Sequence, residues 1–392
     1  MFDRLKPQPE DKIIKLIGMY AADPRDEKLD LGVGVYKDKT GKTPVMRAVK
    51  KAEARLLETQ ESKSYVGLLG NLDFVGAMRD LVLGDAVDAG RVTGAQTPGG
   101  TGAIRQIFEL IQMANSDATV WISNPSWPNH EAILKHLGMK IGKYRYFDEE
   151  TCSVDFDGML ADLNGVAEGD VVLLHGCCHN PTGANITDDQ WVKVTDLVLA
   201  KGVTPMIDIA YQGFGDGLDA DAAGVRHMAG RVPEMLIAAS CSKNFGLYRD
   251  RVGVALALCS DDTLALTKGA LAALNRVNFS FPPDHGATVA AIILGDPELR
   301  TEWLEELEEM RLSMLSLRKN LAKALRRETN SDRFDFVEHH RGMFSRLGLT
   351  LEQVEKLRED YGIYMVGDSR FNVAGLPEDG LDKLAKAIAA VL

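Results

Sequence analysis

Short apolar segments alternate along the chain with longer segments in which apolar residues recur every three or four positions. The short segments are residues 118–123, 170–176, 203–210, 234–240 and 252–258. Apolar runs of this length between helical segments are typical of buried strands in a parallel sheet. The alternation therefore predicts an α/β fold with a mainly parallel central sheet flanked by helices.

Two segments show especially clear helical spacing. Residues 46–58 place Val49, Ala52 and Leu56 on one side of a helix. Residues 297–328 extend the pattern, with apolar side chains at Leu299, Trp303, Leu307, Met310, Met314, Leu317, Leu321 and Leu325. This second helix is long enough to connect two domains, and the residues after it contain strand-like pieces and a closing helix.

A chain of 392 residues is long enough for two domains. We expect an N-terminal arm with part of a small domain over residues 1–35 and a large domain over residues 36–300. Residues 301–392 would form the linking helix and the rest of a small α+β domain. The pattern contains no internal repeat and no low-complexity tract.

Charge and cysteine content narrow the classes of function. The net charge is −12, which argues against a broad surface for nucleic acid or anionic membrane, so any anionic ligand needs a few local cations. The five cysteines are too few and odd in number for a disulfide framework. The N-terminal sequence is charged and contains prolines, unlike a secretory signal. We expect a cytoplasmic protein without a membrane span.

A glycine turn, QTPGGTGAIRQIFEL at residues 96–110, opens a segment with helical spacing. The N–H groups and dipole of a helix start can bind phosphate. The turn lacks both the G-K-[ST] of a P-loop and the G-x-G-x-x-G of a dinucleotide site. A plain helix cap therefore explains these residues as well as an anion site does.

Asp208 ends an apolar run, and Tyr211 follows three residues later. A buried carboxylate needs a charged or hydrogen-bonding partner to offset its desolvation, and a protonated ring nitrogen would supply one. An aspartate that caps the turn after a strand is an equal alternative. Tyr211 could likewise be a core aromatic residue with a satisfied hydroxyl.

The run HGCCHNPTG, residues 175–183, combines histidine and cysteine, which are metal ligands. Adjacent side chains of an extended segment point to opposite sides, and no C-x-x-C occurs elsewhere. We therefore expect structural cysteines and no metal site. Asn180 precedes a proline that fixes the turn. Trp127, in SNPSWPNH, could stack on a flat ring or belong to the core.

The stretch SCSKNFGLYRDRVG contains Lys243 between two serines and an arginine. A lysine that acts as a nucleophile must lose its proton, which desolvation and nearby positive charge both favour. Ser240, Ser242 and Arg251 could hold a phosphate beside it. An isolated S-K-N is commonly a surface feature, but together with Asp208 and the glycine turn it forms a coherent cofactor site.

These motifs together resemble a class I aminotransferase of fold type I, in the subgroup of aspartate and aromatic amino-acid aminotransferases. The motifs that carry the resemblance occur in the family's order: LGVGVYKD, YVGLLG, TPGGTGA, SNPSWPNH, HGCCHNPTG, IDIAYQGFG, SCSKNFGLYRDRVG, GMFS and SRFNVAGL. They cover nearly the whole chain. The resemblance implies the fold of this family, with a large domain around the sheet and a smaller domain.

The resemblance implies pyridoxal 5'-phosphate as the cofactor, bound to Lys243 as a Schiff base. Asp208 would pair with its ring nitrogen, Tyr211 and Asn180 would hydrogen-bond its ring oxygen, and Trp127 would stack on the ring. The phosphate would be held by Gly100, Thr101, Ser240, Ser242 and Arg251, with Tyr65 reaching in from a neighbouring subunit. Lys243, Asp208 and Tyr211 would be the catalytic residues, and no metal is implied.

For the substrate, the resemblance implies that Arg370 grips the α-carboxylate and that Gly34 lies against the bound molecule. Tyr65, Trp127 and Asn180 would also contact it. Arg276 matches an arginine that, in this family, comes from the other subunit and pairs with a distal carboxylate. Because Tyr65 and Arg276 would cross an interface, the implied assembly is a homodimer with shared active sites.

The implied reaction is ping-pong transfer of an amino group to a 2-oxo acid such as 2-oxoglutarate, with pyridoxamine 5'-phosphate formed in the half-reaction. Phe281 follows Ser280 where aspartate-type members commonly have S-N-P-P, which favours aromatic amino acids together with aspartate and glutamate. The alternatives are a packing change at Phe281 in a strict aspartate aminotransferase, a lyase on the same scaffold, and a ligand sensor without turnover. The missing dinucleotide motif disfavours a dehydrogenase.

Overall fold

The computed structural model describes residues 1–7 and 11–392, so residues 8–10 of the predicted N-terminal arm lie outside the described residues. Its strands are β1 (Leu29–Asp30), β2 (Val92–Pro98), β3 (Thr119–Asn124), β4 (Lys140–Arg145), β5 (Phe147–Asp148), β6 (Ser153–Val154), β7 (Val171–His175), β8 (Thr204–Ile209), β9 (Met235–Ser240), β10 (Val252–Leu258), β11 (Phe344–Arg346), β12 (Ile363–Tyr364) and β13 (Arg370–Asn372). Each of the five predicted apolar segments coincides with one of these strands to within one residue at either end.

The α-helices between and after these strands confirm both helices predicted from spacing. They are α1 (Lys12–Ala22), α2 (Arg47–Thr59), α3 (Leu72–Leu83), α4 (Gly99–Ala114), α5 (Pro128–Leu137), α6 (Phe156–Leu163), α7 (Asp188–Lys201), α8 (Leu218–Ala229), α9 (Asp261–Asn278), α10 (His285–Gly295), α11 (Pro297–Thr329), α12 (Phe336–His339), α13 (Leu351–Tyr361) and α14 (Leu381–Val391). No helix among the described residues has both the length and the apolar character that a bilayer crossing requires.

The central sheet has seven strands in the order β2-β10-β9-β8-β7-β3-β4. β10 runs antiparallel to both of its neighbours, and the other adjacent pairs are parallel. This arrangement confirms the α/β fold with a mainly parallel sheet. Two strands, β2 and β4, were not predicted; β4 lies at an edge and carries Lys140, Lys143 and Arg145, so it lacks the apolar character of a covered strand.

The two faces of this sheet build two separate apolar cores because side chains alternate along each strand. In β7, Val171 and Leu173 pack into the core that includes α4, whereas Val172 and Leu174 pack into the larger core on the other face. Burial on both faces explains why the strand sequences are continuously apolar.

A third core joins the two ends of the chain. It combines Leu29 and Leu31 with residues of α11 from Leu317 onwards, and with α13 and α14. The first half of α11 packs elsewhere, since Trp303 and Leu307 belong to the large core. Helix α11 thus contributes to the large core and to this third core, as expected of a helix that connects two domains. The domain bounds 1–35, 36–300 and 301–392 stay a prediction.

The sheet places polar residues together at the carboxyl ends of its parallel strands. His175 at the end of β7 pairs in register with Asp208 of β8, and Asp208 pairs with Ala238 of β9. Ser240 ends β9 and is followed within three residues by Lys243. Ligands of open α/β sheets bind at this edge, so the topology brings Asp208, Ser240 and Lys243 to one crevice.

Candidate active site

A cavity of about 200 Å³ opens at this edge of the sheet. The predicted site residues that line it are Gly34, Gly100, Thr101, Trp127, Asn180, Asp208, Tyr211, Ser240, Ser242, Lys243 and Arg251. Ile104, His175, Ala210 and Tyr248 also line it and were not predicted. Residues from six separate stretches of the chain are therefore brought together around one space.

Lys243 is the central cation of this cavity. Its Nζ lies 4.6 Å from the centroid of the Tyr211 ring, and its side chain retains some surface open to the cavity. Burial lowers the pKa of Lys243 from 10.5 to about 8, with the positive charge of Arg251 acting in the same direction and Asp208 opposing. A lysine tuned in this way is a neutral nucleophile over an accessible pH range.

Asp208 is held by a histidine that the sequence prediction missed. The Nε2 atom of His130, which is fully buried in α5, lies 2.9 Å from Oδ2 of Asp208. Burial by itself raises the pKa of Asp208, but the hydrogen bond and charge of His130, with help from Lys243, outweigh it and lower the pKa. The carboxylate is thus kept ionised and fixed in orientation.

A hydrogen-bonded chain continues behind this pair. Ser126 Oγ lies 2.9 Å from Nδ1 of His130 and 3.3 Å from Nε2 of His175. Burial, followed by the charge of His130, lowers the pKa of His175 to about 3, so His175 stays neutral. These residues stand in the motifs SNPSWPNH and HGCCHNPTG, but the contact between the two motifs joins Ser126 and His175, which are 49 residues apart in the sequence.

One side of the cavity has the features of an anion cradle. Helix α4 begins after Pro98 without any side-chain cap, so its first N–H groups are available to a ligand. Ser240 Oγ donates a hydrogen bond to Ser242 Oγ at 3.1 Å, and Arg251 Nη1 lies 3.5 Å from the hydroxyl of Ser242. Hydroxyls, a guanidinium and a helix start together form a site suited to phosphate.

Glycine is required in this cradle. A Cβ on Gly253 would lie 2.4 Å from the backbone carbon of Gly99, and one on Gly99 would lie 2.6 Å from Nη2 of Arg251. Gly99 also has φ 72°, a conformation that residues with a side chain rarely adopt. The close approach of backbone segments therefore leaves no room for side chains beside the helix start.

Arg370, at the start of β13, adjoins the cavity through its contact with Asn180, which lines it. Its Nη2 donates to the carbonyl of Gly32 at 3.2 Å and its Nη1 lies 3.5 Å from Oδ1 of Asn180. Nε of Arg370 is buried without a hydrogen-bond partner among the described residues. The guanidinium packs 4.4 Å from the Phe344 ring, another residue that the prediction missed. A buried donor without a partner is suited to a ligand carboxylate.

Asn180 and Tyr211 connect the two sides. Nδ2 of Asn180 lies 3.4 Å from the Tyr211 hydroxyl, and both side chains are buried. Burial raises the pKa of Tyr211, so its hydroxyl keeps its proton and can donate it to a ligand oxygen. Trp127 stands edge-on to His130, with 5.3 Å between the ring centroids, on the Asp208 side.

Besides Arg370, which only adjoins the cavity, two further predicted residues do not line it in the single chain. Tyr65 is 83% exposed and stacks on Phe281, with 4.7 Å between centroids. Arg276 is also exposed; its Nη1 donates to Ser280 Oγ at 2.6 Å, and its Cζ lies 5.9 Å from the Phe281 ring. Tyr65, Arg276 and Phe281 therefore form one surface cluster, which we call the Phe281 cluster.

The adjacent cysteines differ from the geometry expected of an extended segment. Cys178 has φ 50°, and the thiols of Cys177 and Cys178 lie within 4.8 Å of each other and of a carboxylate oxygen of Asp221. The expectation that the two side chains point to opposite sides was wrong, because the strand ends at His175 and the backbone turns at Cys178.

Comparisons with known proteins agree with this geometry. A family model described as aminotransferase class I and II matches residues 26–388. The chain is 56% identical over 392 residues to the aromatic-amino-acid aminotransferase of Paracoccus denitrificans, covering 100% of both chains. It is 43% identical over 396 residues to the aspartate aminotransferase of Escherichia coli, again covering 100% of both.

The fold also matches a solved structure. An aromatic-amino-acid aminotransferase from Burkholderia pseudomallei, covalently bound to pyridoxal phosphate, superposes with a TM-score of 0.97 at 42% identity, covering 100% of this chain and 99% of that chain. These sequence and structural matches extend over the whole chain, so they include the residues of the central sheet and of the cavity. The chain belongs to the class I and II aminotransferase family.

Proposed function

We propose that the protein is a pyridoxal-phosphate-dependent aminotransferase for the aromatic amino acids Phe, Tyr and Trp and for aspartate and glutamate, with a 2-oxo acid such as 2-oxoglutarate as acceptor. The observation that carries this proposal is Lys243. Its amine, with a pKa lowered to about 8, shares one cavity with an ionised Asp208 and an anion cradle.

The residues present fit the cofactor. Asp208 offers a fixed carboxylate to a protonated ring nitrogen, and the α4 start with Ser240, Ser242 and Arg251 offers donors to a phosphate. Lys243 shares this cavity with both. When bound, pyridoxal phosphate supplies an electron sink for the charge that develops when the substrate loses its Cα proton.

The protein's own groups would perform the remaining tasks. Lys243, once released from the cofactor, would take the Cα proton at Nζ, and its lowered pKa keeps that amine free to accept it. Tyr211 and Asn180 would donate hydrogen bonds to the cofactor's ring oxygen. His130 would keep Asp208 ionised, so that the ring nitrogen stays protonated.

Arg370 would bind the substrate α-carboxylate. The buried Nε without a partner and an adjacent terminal nitrogen form a planar pair of donors that matches a carboxylate bidentately. Phe344 supports the guanidinium from one face, and Gly34 leaves space beside that ring. This clamp is common to all amino acids and so does not choose among them.

The Phe281 cluster is the proposed determinant of side-chain choice. Arg276 would pair with the distal carboxylate of aspartate or glutamate, while Tyr65 and Phe281 supply apolar surface for an aromatic ring. Because Tyr65 and Arg276 are exposed in one chain and outside its cavity, we propose a homodimer in which each chain completes its partner's site. The five free, buried cysteines support the predicted reducing, cytoplasmic compartment.

The proposal is tested by mixing holoenzyme rapidly with phenylalanine, tyrosine or aspartate and following the visible absorbance of the lysine-linked cofactor. We expect fast loss of that absorbance with all three amino acids, and its return when 2-oxoglutarate is added. Lys243→Ala should lose both the absorbance and turnover, whereas Lys50→Ala, which changes an exposed lysine, should retain both.

Each alternative gives a different result in the same experiment. Conversion with aspartate alone would identify a strict aspartate aminotransferase and assign Phe281 to packing. No conversion with any amino acid would favour a sensor or a lyase. In the dual-specificity enzyme, Arg276→Ala should lower kcat/KM for aspartate about 100-fold or more and that for phenylalanine far less, because only aspartate loses a charge-assisted pair.

A further inference from the structure

Three potential metal-ligand atoms converge outside the active-site cavity. The thiols of Cys177 and Cys178 and one carboxylate oxygen of Asp221 lie within 4.8 Å of one another, and all three side chains are buried. A tetrahedral ion with metal–sulfur bonds of about 2.3 Å needs ligand atoms roughly 3.5 Å apart. Shifts of about 1 Å or less would therefore bring these atoms into a coordination shell.

The carboxylate of this group is already fixed in position. Oδ2 of Asp221 accepts hydrogen bonds from the N–H groups of Gly213 and Gly215 at 2.8 and 2.9 Å, and Oδ1 accepts one from Asp216 at 2.8 Å. Carboxylates that bind metals are commonly oriented by such hydrogen bonds. Oδ1 accepts only one bond from these groups, so a lone pair remains for a further partner.

A buried arginine, which has no carboxylate partner among the described residues, lies close to Cys178. Arg318 of α11 is fully buried, and its hydrogen bonds all go to neutral acceptors: the carbonyls of Val337, Gly342 and Phe344, and the hydroxyl of Ser345. Cys178 packs against Gly342, since a Cβ on that glycine would lie 2.4 Å from Cβ of Cys178. An uncompensated buried cation is costly, and a nearby anionic group offsets that cost.

The group also has access from outside. A cavity of about 350 Å³, lined by both Cys177 and Asp221, adjoins it. His175 lines this space as well as the active-site cavity, so the two cavities share a wall. The larger space can supply water to an open coordination position, as three-ligand sites require.

We propose that Cys177, Cys178 and Asp221 form a binding site for a thiophilic divalent cation of the Zn²⁺ or Cd²⁺ class. Binding releases the two thiol protons to solvent and forms two metal–sulfur bonds and one metal–oxygen bond, with water in the fourth position. Two thiolates and one carboxylate carry three negative charges, which the ion and Arg318 together neutralise. The site is independent of the proposed substrate preference.

The position of the site links it to catalysis. Cys177 and Cys178 lie between His175 and Asn180, which both line the active-site cavity. Coordination would fix this segment and draw its backbone toward Asp221 by up to about 1 Å, a displacement that can slow an enzyme up to 100-fold. Occupancy is therefore expected to inhibit turnover reversibly; this consequence, unlike the site itself, rests on the proposed function.

The test uses chelator-treated holoenzyme titrated with Cd²⁺, whose bonds to thiolate give an ultraviolet charge-transfer band. We expect saturation at one ion per chain, competition by Zn²⁺, and loss of the band in both Cys177→Ser and Cys178→Ser. Cys241→Ser and Cys259→Ser are matched controls, because these cysteines are also buried but lie outside the group of ligands, and they should keep the band.

A saturable band that persists in Cys177→Ser, or no saturable band in the parent protein, would overturn the site. If the serine variants do not fold, cysteine alkylation of the folded parent protein with and without Cd²⁺ gives the answer: the peptide with Cys177 and Cys178 should be protected by the ion, and equal labelling with and without it would refute the proposal. Binding without any change in turnover would refute only the link to catalysis.

Discussion

Replacing Gly34 by alanine tests whether the proposed carboxylate clamp at Arg370 depends on the close approach of Gly34 to Phe344. An added Cβ would lie 2.9 Å from Cζ of the Phe344 ring, with the next ring atom at 3.6 Å. The three nearest heavy atoms to that Cβ all belong to the Phe344 ring, and Gly34 is not one of the positive-φ glycines. The substitution therefore acts through the ring and not through backbone strain.

The expected size of the effect follows from that distance. Ordinary contact with a Cβ begins at 3.4 Å, so the ring must retreat by about 0.5 Å. The ring supports the guanidinium of Arg370 at 4.4 Å, so the clamp shifts with it. Since a 1 Å misplacement can cost about 100-fold in rate, we expect kcat/KM to fall about 10-fold. The overpacking should also lower the free energy of unfolding by about 1 kcal/mol.

The assay is steady-state kinetics with aspartate and phenylalanine, together with urea unfolding. Both substrates should lose similar kcat/KM, because the α-carboxylate is common to them, and the loss should lie mainly in KM. Gly18→Ala is the matched control: this glycine lies in α1 with nothing within 4 Å of its added Cβ, so its kinetics should not change. Adding Phe344→Leu to Gly34→Ala should recover part of the loss. Normal kinetics in Gly34→Ala, or no recovery in the double variant, would refute the reasoning.

Three further predictions concern buried polar groups. In cofactor-free protein, the rate at which Lys243 captures pyridoxal phosphate should rise with pH through a midpoint near 8, because the protonated amine below it is unreactive; a midpoint near 10.5 would contradict the effect of burial. His130→Leu removes the 2.9 Å hydrogen bond to Asp208 and should raise the cofactor Kd about 10-fold or more in equilibrium dialysis, whereas an unchanged Kd would show that Asp208 needs no such support. Arg318→Met leaves several buried acceptors without donors and should lower the free energy of unfolding by about 3 kcal/mol in urea; no change would mean that removing the unpaired charge offsets those lost bonds.

The parts of the fold that sequence could predict are those in which one physical requirement dominates. Covered strands such as β7 must be apolar on both faces, and α11 must keep one apolar stripe over its length, so both patterns are visible in the residues. Strand β4 at the sheet edge combines charged and small residues and carries no comparable pattern. β4 is a strand because it pairs with β3, and that tertiary contact is not visible in its local sequence.

The same distinction holds in the candidate site. The sequence indicates that a buried carboxylate at Asp208 needs a partner. It does not indicate that His130 is such a partner. His130 reaches Asp208 because α5 packs beside the sheet, and no local pattern encodes that distance. The cysteine pair was misjudged for a related reason: the prediction assumed extended backbone, whereas Cys178 adopts a left-handed conformation.

The charges of the cavity explain how an acidic protein can bind anions. The chain carries a net charge of −12, yet Arg251 and Arg370 line or adjoin the cavity without an ion pair to a carboxylate among the described residues. Many arginines elsewhere in the described residues, such as Arg55 and Arg145, do pair with a carboxylate. Each of these two arginines has N–H donors free for a ligand: Arg251 beside the start of α4 and Arg370 beside Asn180. Arg251 could therefore bind the phosphate of one molecule and Arg370 the carboxylate of another, with Lys243 in the cavity beside them. The preference of the site for anions therefore depends on the local positive charges that the fold leaves unpaired. The net charge of the protein does not determine it.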